Sequence, residues 1–161
     1  MKIEFESIGT LYSEFDDVEG MPIQPTGAKG VVGKIVIKDK YQDGLRDIEG
    51  FSHLNLLYFL HKVDGYSLEV KPFMDTHTHG IFATRSPKRP NPVGSSIVCL
   101  DKVEGNVLYV SNVDILNGTP LIDIKPYVPQ LYEDTVGDLK IGWFENNYSK
   151  AKHQKSDNRF K

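Results

Sequence analysis

The residues with the clearest chemical potential lie in a proline-rich, basic loop at 82–94. Its sequence is Phe-Ala-Thr-Arg-Ser-Pro-Lys-Arg-Pro-Asn-Pro-Val-Gly, with three cations at Arg85, Lys88 and Arg89. Each proline fixes its own φ and removes an amide donor, so the loop can form neither a helix nor a central strand. A stiff loop loses little conformational entropy on binding. The loop therefore predicts a site for an anionic ligand or a polyanion.

The histidines and the single cysteine are weaker indicators of a functional site than the basic loop. His77 and His79 lie one residue apart near Asp75 and could begin a metal site, but no further ligand has a recognisable spacing. We therefore predict no metal. His53 is expected to be a core histidine bonded to backbone. Cys99 lies in an apolar run, so we expect a buried, inert thiol.

Short strands with turn signals between them dominate the rest of the chain. Apolar and polar residues alternate, fully or in part, over 3–11, 31–38 and 121–125, and in 31–38 the alternation places Ile35 and Ile37 on one face. The segments 96–100 and 107–110, the second rich in β-branched and aromatic residues, predict a hairpin around the turn at 104–106. The run 56–60 is compatible with a strand or a buried helix, and only 41–50 favours helical turns. This pattern predicts a mostly β fold, an antiparallel barrel or sandwich with short helical segments. No glycine pattern of a Rossmann fold or a P-loop is present.

Composition indicates one globular domain. The chain has 161 residues, a hydrophobic fraction of 39% and a net charge of −3, which argues against bulk coating of nucleic acid. No apolar run is long enough to span a bilayer, and the first residues lack the apolar core of a signal peptide. With a single cysteine, the sequence leads us to expect a cytoplasmic protein that is not bound to a membrane.

Four sequence blocks resemble the TsaA-like family, which includes tRNA adenosine N6-methyltransferases of the TrmO type. They are Phe-Ser-His-Leu at 51–54, the segment 80–94 that contains the basic loop, Asp-Ile-Leu-Asn-Gly-Thr-Pro at 114–120, and Asp-Ile-Lys-Pro-Tyr at 123–127. The resemblance covers roughly residues 5 to 130. Asn117 departs from it, because the family commonly has Asp at that position of the turn.

The resemblance implies a single compact antiparallel β-barrel that binds S-adenosylmethionine without a Rossmann domain and works as a homodimer. It implies methylation of tRNA at N6 of a threonylcarbamoyl-modified adenosine next to the anticodon. We expect the barrel to occupy residues 1–130. Residues 131–161 would be an extension, partly helical or disordered, and not a separate domain. Bacterial tRNA enzymes of the family carry a further domain there. The alternative is therefore a cofactor-binding module with a small-molecule acceptor or a regulatory role.

Site residues follow from the resemblance and from their chemistry. The cofactor-binding candidates are Gln24, Pro25, Thr26, Gly27, His61, Lys62, Val63, Arg85, Ser111, Asn112, Val113 and Asp114. The candidates for the environment of the target amine are Asn91, Asp114 and Tyr127, and those for substrate binding are Lys88, Arg89 and Lys125. Trp143 and Phe144 are expected to cover the barrel or a dimer partner, and the basic tail 150–161 to be a solvated terminus.

Overall fold

Strands with alternating inward and outward side chains form a closed antiparallel barrel in this computed structural model, which describes residues 1–160. The strands are β1 (Gly9–Tyr12), β2 (Val32–Ile37), β3 (His53–Phe59), β4 (Glu69–Val70), β5 (His79–Gly80), β6 (Val93–Glu104), β7 (Val107–Ser111) and β8 (Thr119–Pro126). The barrel order is β1-β2-β7-β6-β3-β8, and β8 pairs with β1 to close it. β4 and β5 form a separate pair. The predicted mostly β, non-Rossmann fold is confirmed.

The inward rows of the strands form the core. On β3, Leu54, Leu56 and Tyr58 point inward, and on β2 Ile35 and Ile37 do so. Each of these side chains is buried, and burial of one aliphatic side chain stabilises a fold by about 1.5–3 kcal/mol. The run 56–60, compatible with two structures from sequence alone, is therefore part of strand β3 up to residue 59.

Three sequence-based expectations for the barrel differ from the structure. The strand predicted over 3–11 begins only at Gly9, because its neighbour β2 ends at Ile37, directly opposite. His53 is bonded to side chains and not to backbone: its Nδ1 lies 2.8 Å from Ser52 Oγ and its Nε2 lies 3.3 Å from Cys99 Sγ. Cys99 is only partly buried.

Strand direction decides which loops meet. In the barrel, β1, β3 and β7 run one way and β2, β6 and β8 run the other way. The connections that follow β1, β3 and β7 (residues 13–31, 60–92 and 112–118) therefore lie at the same end of the barrel, which we call the site rim. The end of β8 lies at the opposite rim.

Short 3₁₀ helices occupy the connections and the last part of the chain. They are Pro25–Gly27, Asp39–Leu45, Ile48–Gly50, Ile81–Ala83, Pro129–Leu131, Glu133–Thr135, Gly142–Phe144, Tyr148–Lys152 and Asn158–Phe160. The helical turns expected over 41–50 are thus present in 3₁₀ form. Across residues 1–160, no helix combines the length and the apolar character needed to cross a bilayer.

The basic tail does not project into solvent over its described part. Ser156 exchanges backbone hydrogen bonds with Gly20 (2.8 Å) and Met21 (3.0 Å), and Pro22 and Lys155 form an isolated β-bridge. The tail is therefore not frayed, because the 13–31 connection satisfies these backbone groups, but its basic side chains within residues 150–160 are exposed to solvent as expected. Lys161 lies outside the described residues, and the division of the chain at residue 130 stays a prediction.

Candidate functional site

A cavity of about 390 Å³ opens at the site rim. Its lining includes several of the residues predicted from sequence: Gln24, His61, Lys62, Val63, Arg85, Arg89 and Asp114. They come from all three connections of that rim. The barrel topology therefore brings together side chains that are up to 90 residues apart in the sequence.

Asp114 is the most unusual group in the cavity. It follows β7 in a connection that turns at Asn112, which has the left-handed φ of 64°. The Asn112 side chain fixes this turn by accepting a hydrogen bond from the Gly30 amide (3.0 Å) and donating one to Cys99 Sγ (3.1 Å). Asp114 Oδ1 is buried and has no hydrogen-bond partner in the described part of the chain. Burial raises the pKa of Asp114 to about 6, opposed by the Ser96 hydroxyl and the charge of Arg85.

Tyr58 and Ser96 form the floor beside Asp114. The Tyr58 hydroxyl and Ser96 Oγ are 2.9 Å apart and buried, and burial with the nearby Asp114 charge raises the pKa of Tyr58. Tyr58 fits here because its partner on β6 is Gly94, where a Cβ would lie 2.2 Å from the Tyr58 ring. Sequence reasoning missed both residues. The sequence signal that could have found them is a polar residue within an otherwise apolar inward row, Tyr58 on β3 and Ser96 on β6.

Arg85 and Arg89 have different roles in the basic loop. Arg85 lines the cavity and donates one bond from Nη2 to the Ser95 carbonyl (2.8 Å), which leaves most of its five N–H donors to a ligand. Arg89 also borders the cavity, but its Nη1 donates to the carbonyls of Ile81, Thr84 and Ser86 at 2.9–3.4 Å. The Arg89 guanidinium therefore holds the loop together through Nη1, and a role for Arg89 in substrate binding stays a prediction.

The connection after β3 places His61 and Lys62 at the cavity, in addition to the arginines of the basic loop. His61 and Lys62 follow directly on Phe59 and Leu60, and both line the cavity. Partial burial and the Lys62 charge lower the pKa of His61, opposed by a backbone bond at Phe59. His61 is therefore predominantly neutral at pH 7. Its Nδ1 lies 3.4 Å from the Thr119 hydroxyl.

Six predicted cofactor-binding residues do not line the cavity. Pro25, Thr26 and Gly27 continue the 3₁₀ turn after Gln24, which alone of the four reaches the cavity. Ser111, Asn112 and Val113 lead into Asp114. Of these, Val113 is fully buried in the core, and the Ser111 hydroxyl donates to Asp101 (3.0 Å). These residues shape the two connections, and a direct role for them in binding stays a prediction.

Four predicted catalytic or substrate-binding residues also lie outside the lining. Both Lys88 and Asn91 belong to the basic loop: Lys88 lies between Pro87 and Arg89, which border the cavity, and Asn91 is two residues from Arg89. Lys125 and Tyr127 lie at the opposite rim, because β8 runs away from the site from Thr119 onward. Lys125 is six residues further along the strand than Thr119, a distance of about 20 Å. Lys125 is 2.8 Å from Asp123, with which it forms an ion pair.

The histidine pair joins a hydrogen-bonded cluster. Asp75 Oδ1 lies 3.1 Å from His77 Nδ1, and Asp75 Oδ2 lies 2.9 Å from His79 Nε2. These two bonds lower the pKa of the Asp75 carboxyl. No group of three or more potential ligands within residues 1–160 has an arrangement that could hold a metal ion.

Part of the cavity wall comes from the end of the chain, which the sequence-based site did not include. Trp143 and Phe144 line the cavity, and Trp143 Nε1 donates to the Ala83 carbonyl (2.8 Å). The indole is stacked by His79 at 4.7 Å and by Phe144 at 4.0 Å between centroids. Trp143 is therefore a packing residue of the wall.

Comparison with known proteins gives a consistent result. Residues 10–133 match the profile of the tRNA-methyltransferase O N-terminal domain. Over 99% of its length the chain is 43% identical to a probable S-adenosyl-L-methionine-binding protein of Pyrococcus abyssi, of which it covers 86%. It is 36% identical to the tRNA (adenine(37)-N6)-methyltransferase of Escherichia coli, covering 58% of that enzyme. The crystal structure of TrmO from Pseudomonas aeruginosa is similar with a TM-score of 0.72 and 34% identity, over 89% of this chain and 63% of that one.

Proposed function

Because the chain belongs to the tRNA-methyltransferase O family, we propose that it binds S-adenosylmethionine in the rim cavity and transfers the methyl group to tRNA. The acceptor in this proposal is N6 of a threonylcarbamoyl-modified adenosine next to the anticodon. The observation that carries it is the buried carboxylate of Asp114, with an unpaired oxygen, in one cavity with Arg85. A cytoplasmic location, where tRNA is abundant, is part of the proposal.

The cavity fits this cofactor. S-adenosylmethionine presents hydroxyl and amino donors, a carboxylate and a positively charged sulfur. Asp114 Oδ1 and Ser86 Oγ are buried without a partner among the described residues, so ligand donors or acceptors would satisfy them. Arg85 and Lys62 can bind the carboxylate. A volume of about 390 Å³ lies within the ordinary range of cofactor sites.

Asp114 is the best candidate for handling the proton of the acceptor amine. When bound, the cofactor supplies a methyl group activated by the positive charge on sulfur. The N6 lone pair is delocalised into the adenine ring, so a hydrogen-bond acceptor is needed to orient the amine and take its proton. A carboxyl with a pKa of about 6 is mostly ionised at pH 7 and still basic enough for this task. Orientation of two reactants can lower a barrier by about 7–11 kcal/mol in favourable cases.

A homodimer accounts for the predicted residues at the far rim. Tyr127 and Lys125 are too distant to serve the cavity of their own barrel. We propose that they serve the cavity of a second copy, whereas Asn91 and Lys88 lie beside the cavity of their own chain. Exposed Phe59 on β3, at 43%, is an apolar group on the barrel exterior that suits such an interface.

Complementation between variants tests the shared site. Asp114→Asn and Tyr127→Phe should each lose methyl transfer as pure proteins. A mixture refolded together should regain activity, because a mixed dimer has one intact site. If the mixture stays inactive while both variants form dimers, the shared site is wrong.

The transfer assay tests the function itself. The protein is incubated with methyl-labelled cofactor and tRNA prepared with or without the threonylcarbamoyl group. The proposal predicts label only in the modified tRNA, at N6 of the adenosine. Binding of the cofactor without transfer to any tRNA would favour the second candidate, a cofactor-binding module. Coverage favours this second candidate. The chain spans 86% of the Pyrococcus relative, which is named a binding protein, but 58% of the Escherichia coli enzyme.

A further inference from the structure

One side of the cavity is built by residues beyond the family profile, which ends at residue 133. We call residues 142–160 the C-terminal wall. Its lining residues are Trp143, Phe144, Ser156, Asp157 and Phe160. Phe160 packs edge-on against Phe73, which also lines the cavity, with ring centroids 5.1 Å apart. This side of the cavity therefore presents the rings of Phe144 and Phe160, and its Asp157 carboxylate is paired with Arg159 (2.7 Å). Asp114, Arg85 and Lys62 come from the barrel connections.

The wall is attached at both of its ends. At its start, Trp143 donates to the Ala83 carbonyl and stacks on His79, whose ring is bonded to Asp75. At its end, the Arg159 guanidinium lies 4.7 Å from the centroid of the Phe73 ring and donates to the Pro72 carbonyl at 3.3 Å. Such contacts on several sides hold the aromatic rings in fixed positions.

The wall also supports the connection that carries the predicted cofactor residue Gln24. Ser156 pairs with the backbone of Gly20 and Met21, and its hydroxyl donates to the Val18 carbonyl. At Gly27, a Cβ would lie 3.2 Å from the Lys152 carbonyl oxygen, so the two segments pack closely. Both the aromatic rings and the Gln24 connection thus depend on the wall.

From these contacts we propose that the C-terminal wall is a specificity-determining part of the cofactor site, and this rests on the proposed function above. Phe144 and Phe160, with Phe73, form a subsite for a flat, uncharged ring, the purine of an adenosine-containing cofactor. The charged end of such a cofactor then faces Asp114 and Arg85. Trp143 is a positioning residue that acts through the basic loop and Phe144.

Binding of S-adenosylmethionine and S-adenosylhomocysteine, measured by calorimetry, tests the subsite. Phe160→Ala and Phe144→Ala should each weaken both ligands about tenfold, the scale of losing one aromatic stacking partner. Tyr148→Ala is the matched control: Tyr148 belongs to the same segment but is 63% exposed and does not line the cavity. Phe160→Leu keeps apolar volume without the aromatic ring. It should weaken binding while leaving the melting temperature unchanged.

The role of Trp143 is tested by steady-state kinetics. Trp143→Ala should raise KM for S-adenosylmethionine by a larger factor than it changes KM for tRNA or kcat, and Trp143→Phe, which keeps a stacking ring, should recover most of the loss. Wild-type affinity in Phe160→Leu and Phe144→Ala would overturn the subsite while the proposed function stands. A wild-type protein that binds neither ligand would overturn the proposed function and the subsite with it.

Discussion

At the scale of single residues, Asp114 is the group on which the proposed chemistry depends most. Its carboxylate is buried with one unpaired oxygen, and burial raises its pKa to about 6. A protein tolerates such a destabilised charge where a ligand will satisfy it. Ser96, itself bonded to Tyr58, is the neighbour that lowers the pKa of this carboxyl most. The residue is therefore a sensitive reporter of the site.

The affinity for S-adenosylmethionine should depend on pH through Asp114. The ionised carboxylate attracts the positively charged cofactor, so the dissociation constant should be steady above pH 7 and rise as pH falls below about 6. Well below that pH, the rise approaches about tenfold per unit. Calorimetry between pH 5 and 8 measures this, with Asp114→Asn as the control. A variant that keeps the same pH dependence would show that another group is responsible.

Replacement of Asp114 should also stabilise the empty protein. A carboxyl with a raised folded pKa favours folding in its protonated form, so its contribution is full below the unfolded pKa and is lost as pH rises through about 6. Asp114→Asn should therefore raise the free energy of unfolding at pH 7 by about 1–3 kcal/mol and change it little at pH 3.5. Urea unfolding at both pH values checks this, and a destabilised variant at pH 7 would contradict it.

At the scale of elements, strand pairing and one loop place the site residues. Tyr58 reaches Ser96 because β6 has Gly94 opposite it. Gly94→Ala should force the Tyr58 ring to move and destabilise the fold by about 1–3 kcal/mol. Gly44→Ala is the control, since nothing lies within 4 Å of a Cβ there. Chemical unfolding of both variants measures the difference, and equal stabilities would refute the close approach at Gly94.

The basic loop offers a second test at this scale. Arg89 donates from Nη1 to the carbonyls of Ile81, Thr84 and Ser86. A lysine side chain is one bond shorter, so its ammonium would not reach the position of Nη1. Arg89→Lys should therefore lower the melting temperature and weaken cofactor binding although the charge is kept. If only charge at this position matters, the variant will match the wild type in both measurements.

Sequence patterns predicted the parts of the fold that depend on local periodicity. The alternation at Ile35 and Ile37 predicted an inward row, and the turn residues near Gly105 predicted the β6–β7 hairpin. The location of Tyr127 could not be obtained this way, because it depends on the direction of β8 in a closed barrel. The contact of Phe73 with Phe160 joins residues 87 positions apart, and no local pattern carries that information.

At the scale of the whole molecule, a barrel rim and the end of the chain together enclose one cavity. The barrel connections supply Asp114, Arg85 and Lys62, and the C-terminal wall adds the rings of Phe144 and Phe160. The family profile covers only the barrel part and ends at residue 133. The wall therefore adds to the cavity a side that the matched profile does not cover.

The most direct test of the account is methyl transfer to threonylcarbamoyl-modified tRNA by the wild type and by Asp114→Asn, at saturating labelled S-adenosylmethionine and pH 7.5. Nucleoside analysis of the product identifies the methylated atom, and unfolding curves confirm that both proteins are folded. The account predicts N6-methylated adenosine with the wild type and a loss of at least about a hundredfold in rate with the variant. Equal rates for the two proteins, or no transfer by a cofactor-bound wild type, would contradict it.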